Sequence, residues 1–214
     1  MQIVDLMVFD LDGTLVDSGP DLIRAVNFTR RALELPELEA KEIISFVGDG
    51  LDKLAERFVG PELQHRLGEA TAIFKVYYAE HCVDETVLYP GVKEVLTFFR
   101  DKKKVIITNK LFDFTRKITD YFELTNCFDS IIGLGSTAYH KPEAMVLLPL
   151  LEEFRIAPHR SVVIGDGVAD INLARNAGVK SCALLNGFTS REVLLSFRPD
   201  FACESLWELK NMFC

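Results

Sequence analysis

Short apolar runs and longer amphipathic segments alternate along most of the chain. The first run, Leu6-Met7-Val8-Phe9, contains no polar residue and is followed by Asp10 and Asp12. An uninterrupted apolar run of this length is typical of a parallel strand whose two faces are both covered. Beyond residue 91 the pattern predicts helices at 92–100, 112–122, 143–154 and 168–177, and strands at 105–107, 130–134, 161–164 and 181–185.

Strands that alternate with helices of this length indicate an α/β fold in which right-handed crossovers join parallel strands. We therefore expect a Rossmann-like parallel sheet core with helices on both faces. The run at 6–9 belongs to the same sheet in this interpretation, although a long segment separates it from the next predicted strand.

The segment from Pro20 to about residue 88 has a different pattern. Apolar residues recur there at helical spacing, glycine and proline residues interrupt it, and no strand is predicted. Helices are predicted from Pro20 onward and at 39–47, 51–59 and 61–82. We therefore predict an inserted α-helical domain at 17–88 and an α/β core composed of 1–16 and 89–214.

Composition narrows the class of protein further. The 214 residues carry a formal net charge of −8, and 49% of them are hydrophobic. An acidic globular chain is a poor candidate for binding nucleic acid, which needs clustered lysine and arginine. No apolar run is long enough to cross a membrane, and no secretory signal is recognised. The five cysteines form no C-x-x-C pair, so we expect free thiols and a cytoplasmic location.

Polar side chains follow the ends of four predicted strands. Ligands of open parallel sheets bind at the carboxyl ends of the strands, so these residues are expected to converge at one edge. They are Asp10, Asp12, Gly13 and Thr14 after the first strand, Thr108, Asn109 and Lys110 after the second, Lys141 after the third, and Asp166 and Asp170 after the fourth. Carboxylates, a hydroxyl, an amide and an ammonium group are therefore expected in one site.

Asp10, Asp12 and Asp166 point to a divalent cation. Neighbouring carboxylates repel one another unless a cation lies between them, and Mg²⁺ prefers oxygen ligands. An aspartate can also act as a nucleophile towards phosphorus, and a metal ion would then neutralise charge on the transferring group. The alternative is a turn at the strand end that is stabilised by aspartate side chains, which the Asp-x-Asp-Gly sequence would also suit.

The other candidates carry weaker signals, each with a structural alternative. Thr108 and Asn109 could donate hydrogen bonds to phosphoryl oxygens, and Lys141 could balance negative charge, but such residues are also common as caps or on surfaces. Asp170 could support the metal or Lys141, or could interact with the amino end of its own helix. No P-loop and no complete dinucleotide-binding glycine motif is present.

Four segments, in order, resemble the motifs of the haloacid dehalogenase superfamily. They are 9–18 (Phe-Asp-Leu-Asp-Gly-Thr-Leu-Val-Asp-Ser), 107–110 (Ile-Thr-Asn-Lys), 140–142 (His-Lys-Pro) and 164–170 (Ile-Gly-Asp-Gly-Val-Ala-Asp). The resemblance covers nearly the whole chain, and the inserted helical domain resembles the cap of that superfamily. Within it the chain is most similar to the phosphoglycolate phosphatases, through Phe46-Val47-Gly48-Asp49-Gly50-Leu51 and Tyr89-Pro90-Gly91-Val92.

The resemblance implies a role for each candidate. Asp10 would be the nucleophile and Asp12 the general acid and base, a division that the spacing alone leaves open. The catalytic residues would be Asp10, Asp12, Thr108 and Lys141, and the substrate phosphate would be bound by Asp10, Gly13, Thr108, Asn109 and Lys141. Mg²⁺ would be bound by Asp10, the backbone carbonyl of Asp12, and Asp166, with Asp170 in support. Gly48, Asp49 and Gly50 of the cap would select the substrate.

The expected function is a Mg²⁺-dependent phosphatase that hydrolyses a small phosphate monoester through an aspartyl-phosphate, with 2-phosphoglycolate as the expected substrate. A pyrophosphatase, a nucleotidase or a sugar phosphomutase of the same superfamily is the alternative. A catalytically idle binding or regulatory protein is the alternative from another class. The expected partner is a small phosphorylated metabolite, and no nucleic-acid or membrane partner is expected. The protein would be a monomer or a homodimer.

Overall fold

The computed structural model describes residues Met1 to Cys214 and contains eight strands. Numbered along the chain, they are β1 (Leu6–Phe9), β2 (Val16–Asp17), β3 (Val87–Leu88), β4 (Lys103–Leu111), β5 (Ser130–Leu134), β6 (Ser161–Gly165), β7 (Lys180–Leu184) and β8 (Phe201–Cys203). Six of them form one parallel sheet in the order β5-β4-β1-β6-β7-β8. The predicted α/β class with a Rossmann-like parallel sheet is therefore confirmed.

Four helices, here termed the helical insertion, lie between β2 and β3. They are α1 (Gly19–Ala32), α2 (Ala40–Ser45), α3 (Leu51–Val59) and α4 (Leu67–His81), with a 3₁₀ segment at Pro61–Arg66. β2 and β3 pair antiparallel, so the chain enters and leaves the insertion side by side. The expectation of no strand before residue 88 is wrong at Val87–Leu88, because a two-residue strand is too short to show the alternation that predicts strands. The boundaries of the inserted domain at residues 17 and 88 stay a prediction.

Six further helices accompany the sheet: α5 (Val92–Phe98), α6 (Phe112–Tyr121), α7 (Leu148–Phe154), α8 (Val168–Ala177), α9 (Arg191–Ser196) and α10 (Leu209–Met212). The helix predicted at 143–154 divides into a 3₁₀ turn, Ala144–Val146, and α7. Pro149 explains the division, because a residue without a backbone N–H is accepted in the first turn of a helix and not in its interior.

β1 lies in the middle of the sheet, between β4 and β6. Successive side chains of a strand point to opposite faces. Met7 and Phe9 belong to a cluster of 36 buried apolar residues, whereas Leu6 and Val8 belong to a smaller cluster with residues of α7 and α8. Both faces of β1 are therefore covered, which explains why no polar residue interrupts this strand.

The helical insertion shares its apolar interior with the sheet. Phe58 and Phe74 of the insertion lie in the same buried cluster as Phe9 of β1 and Phe114 of α6. Tyr78 of α4 packs edge-on against Phe114, with the ring centroids 5.1 Å apart. This continuous packing holds the insertion over the carboxyl end of the sheet.

No helix of the structure is both long enough and apolar enough to cross a membrane.

Candidate active site

The carboxyl ends of three neighbouring strands bring most of the predicted site residues together. Asp10 follows β1, Thr108 and Asn109 lie near the end of β4, and Asp166 follows β6; all four are buried. They surround a cavity of about 110 Å³ between the sheet and the helical insertion. The predicted residues that line this cavity are Asp10, Asp12, Gly48, Asp49, Gly50, Thr108, Asn109, Lys110, Asp166 and Asp170.

Lys141 lies beneath the cavity and joins two of the carboxylates. Its Nζ is 2.7 Å from Asp10 Oδ2 and 2.7 Å from Asp170 Oδ1, and the residue is 2% exposed. Burial disfavours the charged form, but the two carboxylates outweigh it and raise the pKa of Lys141 above its usual range. The other oxygen of Asp10 accepts the backbone N–H of Leu11 at 2.7 Å. Both oxygens of Asp10 are therefore held in place.

Asn109 positions the segment that carries Lys141. The backbone N–H of Lys141 donates to Asn109 Oδ1 at 3.0 Å, and Asn109 Nδ2 donates to the Lys141 carbonyl oxygen at 3.2 Å. The same Nδ2 donates to the carbonyl oxygen of Gly48 in the helical insertion at 3.1 Å. The Asn109 side chain thus links the lysine loop, the sheet and the insertion.

Asp166 occupies the most acidic part of the site. Its Oδ1 accepts a hydrogen bond from the Thr14 hydroxyl at 2.7 Å, and its Oδ2 accepts the backbone N–H of Phe188 at 2.8 Å. Burial, together with the charges of Asp10 and Asp170, raises the pKa of Asp166 to about 8. This carboxylate lacks a positive partner within the protein.

Asp170 has two contacts, one for each oxygen. Oδ1 pairs with Lys141, and Oδ2 accepts the backbone N–H of Gly167 at 3.0 Å at the amino end of α8. Burial raises the pKa of Asp170 to about 7, against the opposing effect of Lys141. Its support of Lys141 and its interaction with the helix end, posed as alternatives by the sequence, are both present.

A group of three carboxylates could hold a metal ion. One ligand oxygen from each of Asp10, Asp166 and Asp170 can be chosen so that all three lie within 4.8 Å of one another, and Lys141 is the only ammonium group in contact with them. Buried carboxylates in excess over cations form a donor set that suits a hard divalent cation. The side chain of Asp12 is not part of this group.

Asp12 instead contacts two side chains, Ser18 and Lys110, at the edge of the cavity. Ser18 Oγ donates to its Oδ1 at 2.5 Å, and Lys110 Nζ lies 3.0 Å from Oδ1 and 3.1 Å from Oδ2. Lys110 Nζ also donates to the Tyr78 hydroxyl of α4 at 2.7 Å. Burial disfavours the ammonium, but Asp12 and Tyr78 raise the pKa of Lys110 above its usual range.

The predicted selectivity residues lie in the loop between α2 and α3. Gly48 and Gly50 have positive φ angles of 121° and 90°, a conformation that favours glycine. A Cβ at Gly50 would lie 3.3 Å from the backbone carbonyl oxygen of Asn109, so the loop approaches the sheet closely. Asp49 is exposed and pairs with Arg57 at 2.5 Å. Gly13 lies outside the cavity lining, and its backbone N–H donates to the Val16 carbonyl oxygen at 2.9 Å.

Several residues of the site had no assigned role in the sequence analysis. Thr14 and Lys110 stood among the strand-end residues, but their contacts to Asp166 and Asp12 were not predicted. Phe188 follows β7, whose carboxyl end lies at the same edge of the sheet as the site. Ligands of parallel sheets bind at the carboxyl ends of strands, so this rule could have predicted a role for Phe188. The sequence contained no indication of a role for Tyr78 in the site, because an aromatic residue at helical spacing is typical of a hydrophobic core.

Comparisons with known proteins agree with this architecture. The family model for haloacid dehalogenase-like hydrolases matches residues 7–184. A phosphoglycolate phosphatase of Chromobacterium violaceum is 34% identical over 98% of this chain and 96% of its own length, and one of Vibrio vulnificus is 32% identical over 99% and 96%. A crystal structure described as a predicted phosphoglycolate phosphatase from Haemophilus somnus superposes with a TM-score of 0.92, at 26% identity, over 99% of this chain and 98% of that one.

The fold, the carboxylate site and these matches define a hydrolase. The chain belongs to the haloacid dehalogenase-like hydrolase family, and within that family it is a phosphatase, a phosphoric monoester hydrolase.

Proposed function

We propose that this protein is a Mg²⁺-dependent phosphatase that hydrolyses a small phosphate monoester through an aspartyl-phosphate at Asp10. The contact of Asp10 with Lys141, 2.7 Å apart at the buried carboxyl end of β1, carries this proposal. A carboxylate that is held on both oxygens beside a permanent positive charge is oriented as a nucleophile for an anionic group.

Asp10 and Asp166 would hold the magnesium ion, with the backbone carbonyl of Asp12 as a further ligand and Asp170 in support. The ion would neutralise charge on the transferring phosphoryl group. The raised pKa of Asp166 supports this assignment, because it reflects the concentration of negative charge that a cation would relieve.

The proposed reaction has two steps. In the first, an oxygen of Asp10 forms a bond to phosphorus while the bond to the leaving oxygen breaks, and Asp12 gives its proton to that oxygen. In the second, Asp12 takes a proton from a water molecule whose oxygen attacks phosphorus, which releases inorganic phosphate and the Asp10 carboxylate. The phosphoryl oxygens would be bound by Thr108, the backbone amide of Asn109 and Lys141. The phosphate-binding role expected for Gly13 is not part of the proposal, because its backbone N–H is already bonded to the Val16 carbonyl oxygen.

The helical insertion is proposed to act as a cap. It covers the cavity and would exclude bulk water from the first step. Gly48, Asp49 and Gly50 line the cavity from the cap side and are proposed to select the substrate. A cavity of about 110 Å³ lies below the range of about 300–1,000 Å³ for drug-sized ligands, which favours a small ester.

We propose 2-phosphoglycolate as the substrate, on the similarity to relatives of that name and on the size of the cavity. All residues of the site come from one chain, so the proposal needs no second copy. The five free cysteines favour a cytoplasmic location.

Phosphate release from a panel of esters, with and without Mg²⁺, tests the proposal. We expect wild type to release phosphate only with Mg²⁺ and to prefer 2-phosphoglycolate over pyrophosphate, nucleotides and sugar phosphates. Asp10→Asn should abolish release and should form no acid-stable phosphoprotein intermediate from radiolabelled substrate. Asp129→Asn, the same substitution at the opposite edge of the sheet, should retain activity.

Each part of the proposal can fail separately. Activity that survives Asp10→Asn would exclude Asp10 as the nucleophile. A strong preference for pyrophosphate or for a nucleotide would replace the proposed substrate, and no release from any ester would favour a catalytically idle protein.

A further inference from the structure

Lys110 is a buried lysine whose ammonium group joins the sheet to the helical insertion. It lies near the end of β4 and is 9% exposed. The ammonium lies 3.0 and 3.1 Å from the two oxygens of Asp12, and 2.7 Å from the Tyr78 hydroxyl. It also lies 4.6 Å from the centre of the Tyr78 ring. Its three hydrogen-bonding positions are thus used by one residue that follows β1 and one residue of α4.

A second buried lysine on β4 shows what a purely structural lysine looks like in this chain. Lys104 lies at the other end of the strand and donates to the carbonyl oxygens of Phe99 and Lys102, at 2.9 and 3.0 Å. Those partners are backbone groups of the adjoining turn. Lys110 instead binds a carboxylate that lines the cavity, so its position bears on the chemistry and not only on the fold.

Without Lys110, the carboxylate of Asp12 would have few contacts that fix its orientation. Its only other side-chain partner is Ser18, which binds Oδ1 alone. Lys110 contacts both oxygens and therefore fixes the plane of the carboxyl group. Tyr78 in turn holds the lysine, and Tyr78 itself is fixed by its packing against Phe114. The orientation of Asp12 consequently depends on the position of α4.

We propose that Lys110 is a positioning residue that orients Asp12 towards the leaving oxygen, and that it does so fully only while Tyr78 of the helical insertion lies against it. The inference rests on the proposed function, because it assumes that Asp12 takes up a proton from solvent when the ester binds and then gives that proton to the leaving oxygen. The orientation of the proposed proton donor would then depend on the contact between Lys110 and Tyr78.

The leaving-group dependence of kcat/KM tests this inference. An alkyl ester such as 2-phosphoglycolate needs a proton on its leaving oxygen, whereas p-nitrophenyl phosphate releases a phenolate that needs none. We expect Lys110→Met to lower kcat/KM about 100-fold more for the alkyl ester than for the aryl ester, within the range for loss of general acid catalysis. Tyr78→Phe removes only the hydroxyl and should shift the same ratio in the same direction, by a smaller factor.

Two further variants separate positioning from general damage. Lys104→Met removes the other buried ammonium from β4 and should leave the ratio of the two kcat/KM values as in wild type. In an Asp12→Asn background, Lys110→Met should add no further selectivity, because the group that it orients is gone.

The outcomes are distinct. An equal loss on both esters in Lys110→Met, with a wild-type ratio in Tyr78→Phe, would overturn the positioning role and leave the proposed phosphatase intact. If wild type hydrolyses neither ester with Mg²⁺, the proposed function fails and the inference fails with it. If Lys110→Met does not fold, the ratio of the two kcat/KM values in Tyr78→Phe tests the positioning role. Tyr78→Phe keeps the packed ring, so we expect this variant to fold.

Discussion

Three glycine residues provide the space that the carboxylates of the site occupy. A Cβ at Gly13 or Gly187 would overlap the side chain of Asp166, and one at Gly165 would overlap that of Asp170. Gly13 also has a φ of 76°, a region that other residues adopt with strain. The arrangement of the acidic group therefore depends on neighbours without side chains as much as on the aspartates.

Gly187→Ala tests this dependence without backbone strain, because Gly187 does not have a positive φ angle. The added methyl group should displace Asp166 and weaken Mg²⁺ binding and kcat/KM about 10- to 100-fold, as is usual for residues that orient metal ligands. Calorimetric titration and steady-state kinetics would measure both. Gly68→Ala in α4, where a Cβ meets nothing within 4 Å, should leave both values unchanged. Unchanged Mg²⁺ affinity in Gly187→Ala would contradict the argument.

Lys141→Met should destabilise the metal-free protein. The substitution keeps the length of the side chain but leaves Asp10 and Asp170 buried without a counter-ion, which typically costs about 3–5 kcal/mol. Mg²⁺ should restore part of the free energy of unfolding, because it supplies the missing positive charge. Urea unfolding with and without MgCl₂ measures this. Lys104→Met should cost less and should not respond to Mg²⁺; equal losses in the two variants would refute the prediction.

The sequence could predict the residues of the site that lie at the carboxyl ends of strands. Asp10 and Asp166 follow directly after β1 and β6, as the motifs and the strand-end rule predict. Thr108 was expected directly after a strand at 105–107 but lies within β4, which continues to Leu111. The contact between Lys110 and Tyr78 could not be predicted, because it joins two segments that meet only after the insertion has packed on the sheet. A buried tyrosine on a helix has the same pattern whether its hydroxyl has a function or not.

At the scale of elements, the amino ends of the strands show a repeated ion pair. An aspartate directly precedes β1, β5 and β8, and in each case it pairs with a cation at the start of the neighbouring strand. The pairs are Asp5 with Arg160, Asp129 with Lys103, and Asp200 with Lys180. Asp129 and Asp200 also accept a backbone N–H of the neighbouring strand. Each pair thus fixes the register at which two parallel strands begin.

Asp129→Asn should lower the free energy of unfolding at neutral pH and leave it unchanged at low pH. Partial burial raises the pKa of Asp129, but the bonds from Lys103 and Lys104 outweigh it and hold the pKa below its ordinary value. A lowered pKa in the folded state stabilises the fold above the ordinary aspartate pKa of about 3.9, and this contribution is lost as the pH falls through the folded-state value. We expect a loss of about 1 kcal/mol near neutral pH, since the pair is partly exposed.

Urea unfolding of wild type and Asp129→Asn across the pH range measures this difference. The two curves should converge as the pH falls below the ordinary pKa of an aspartate. A difference that stays constant with pH would show that Asp129 acts through packing and not through charge.

The elements that the sequence predicted best are those with a clear apolar pattern and well-marked ends. The observed bounds of β1, β5 and α8 are the predicted ones, because their apolar patterns are continuous and their ends are polar or glycine-rich. β2, β3 and β8 were not predicted. They have two or three residues each, and in so short a strand neighbouring strands decide the structure more than the local pattern does.

At the scale of the whole molecule, the helical insertion and the sheet should unfold together. They share one cluster of 36 buried apolar residues, so neither keeps a complete core without the other. The single tryptophan, Trp207, lies outside the insertion, in the 3₁₀ segment Leu206–Glu208 after β8, where it packs against Gly91. Its fluorescence therefore reports on the α/β core, whereas far-ultraviolet circular dichroism reports on helices, four of which lie in the insertion. Urea transitions followed by the two signals should coincide. Loss of helical signal at lower urea than the fluorescence change would mean that the insertion unfolds alone.

The central place of β1 has a consequence for the order in which the molecule forms. β1 is synthesised first, yet its two partners begin at Lys103 and Ser161, so the middle of the sheet cannot assemble until most of the chain has left the ribosome. The insertion helices have their neighbours close in sequence and can associate earlier. During synthesis the helical insertion should therefore be the first part to become compact, and β1 should stay unpaired until the rest of the sheet has emerged.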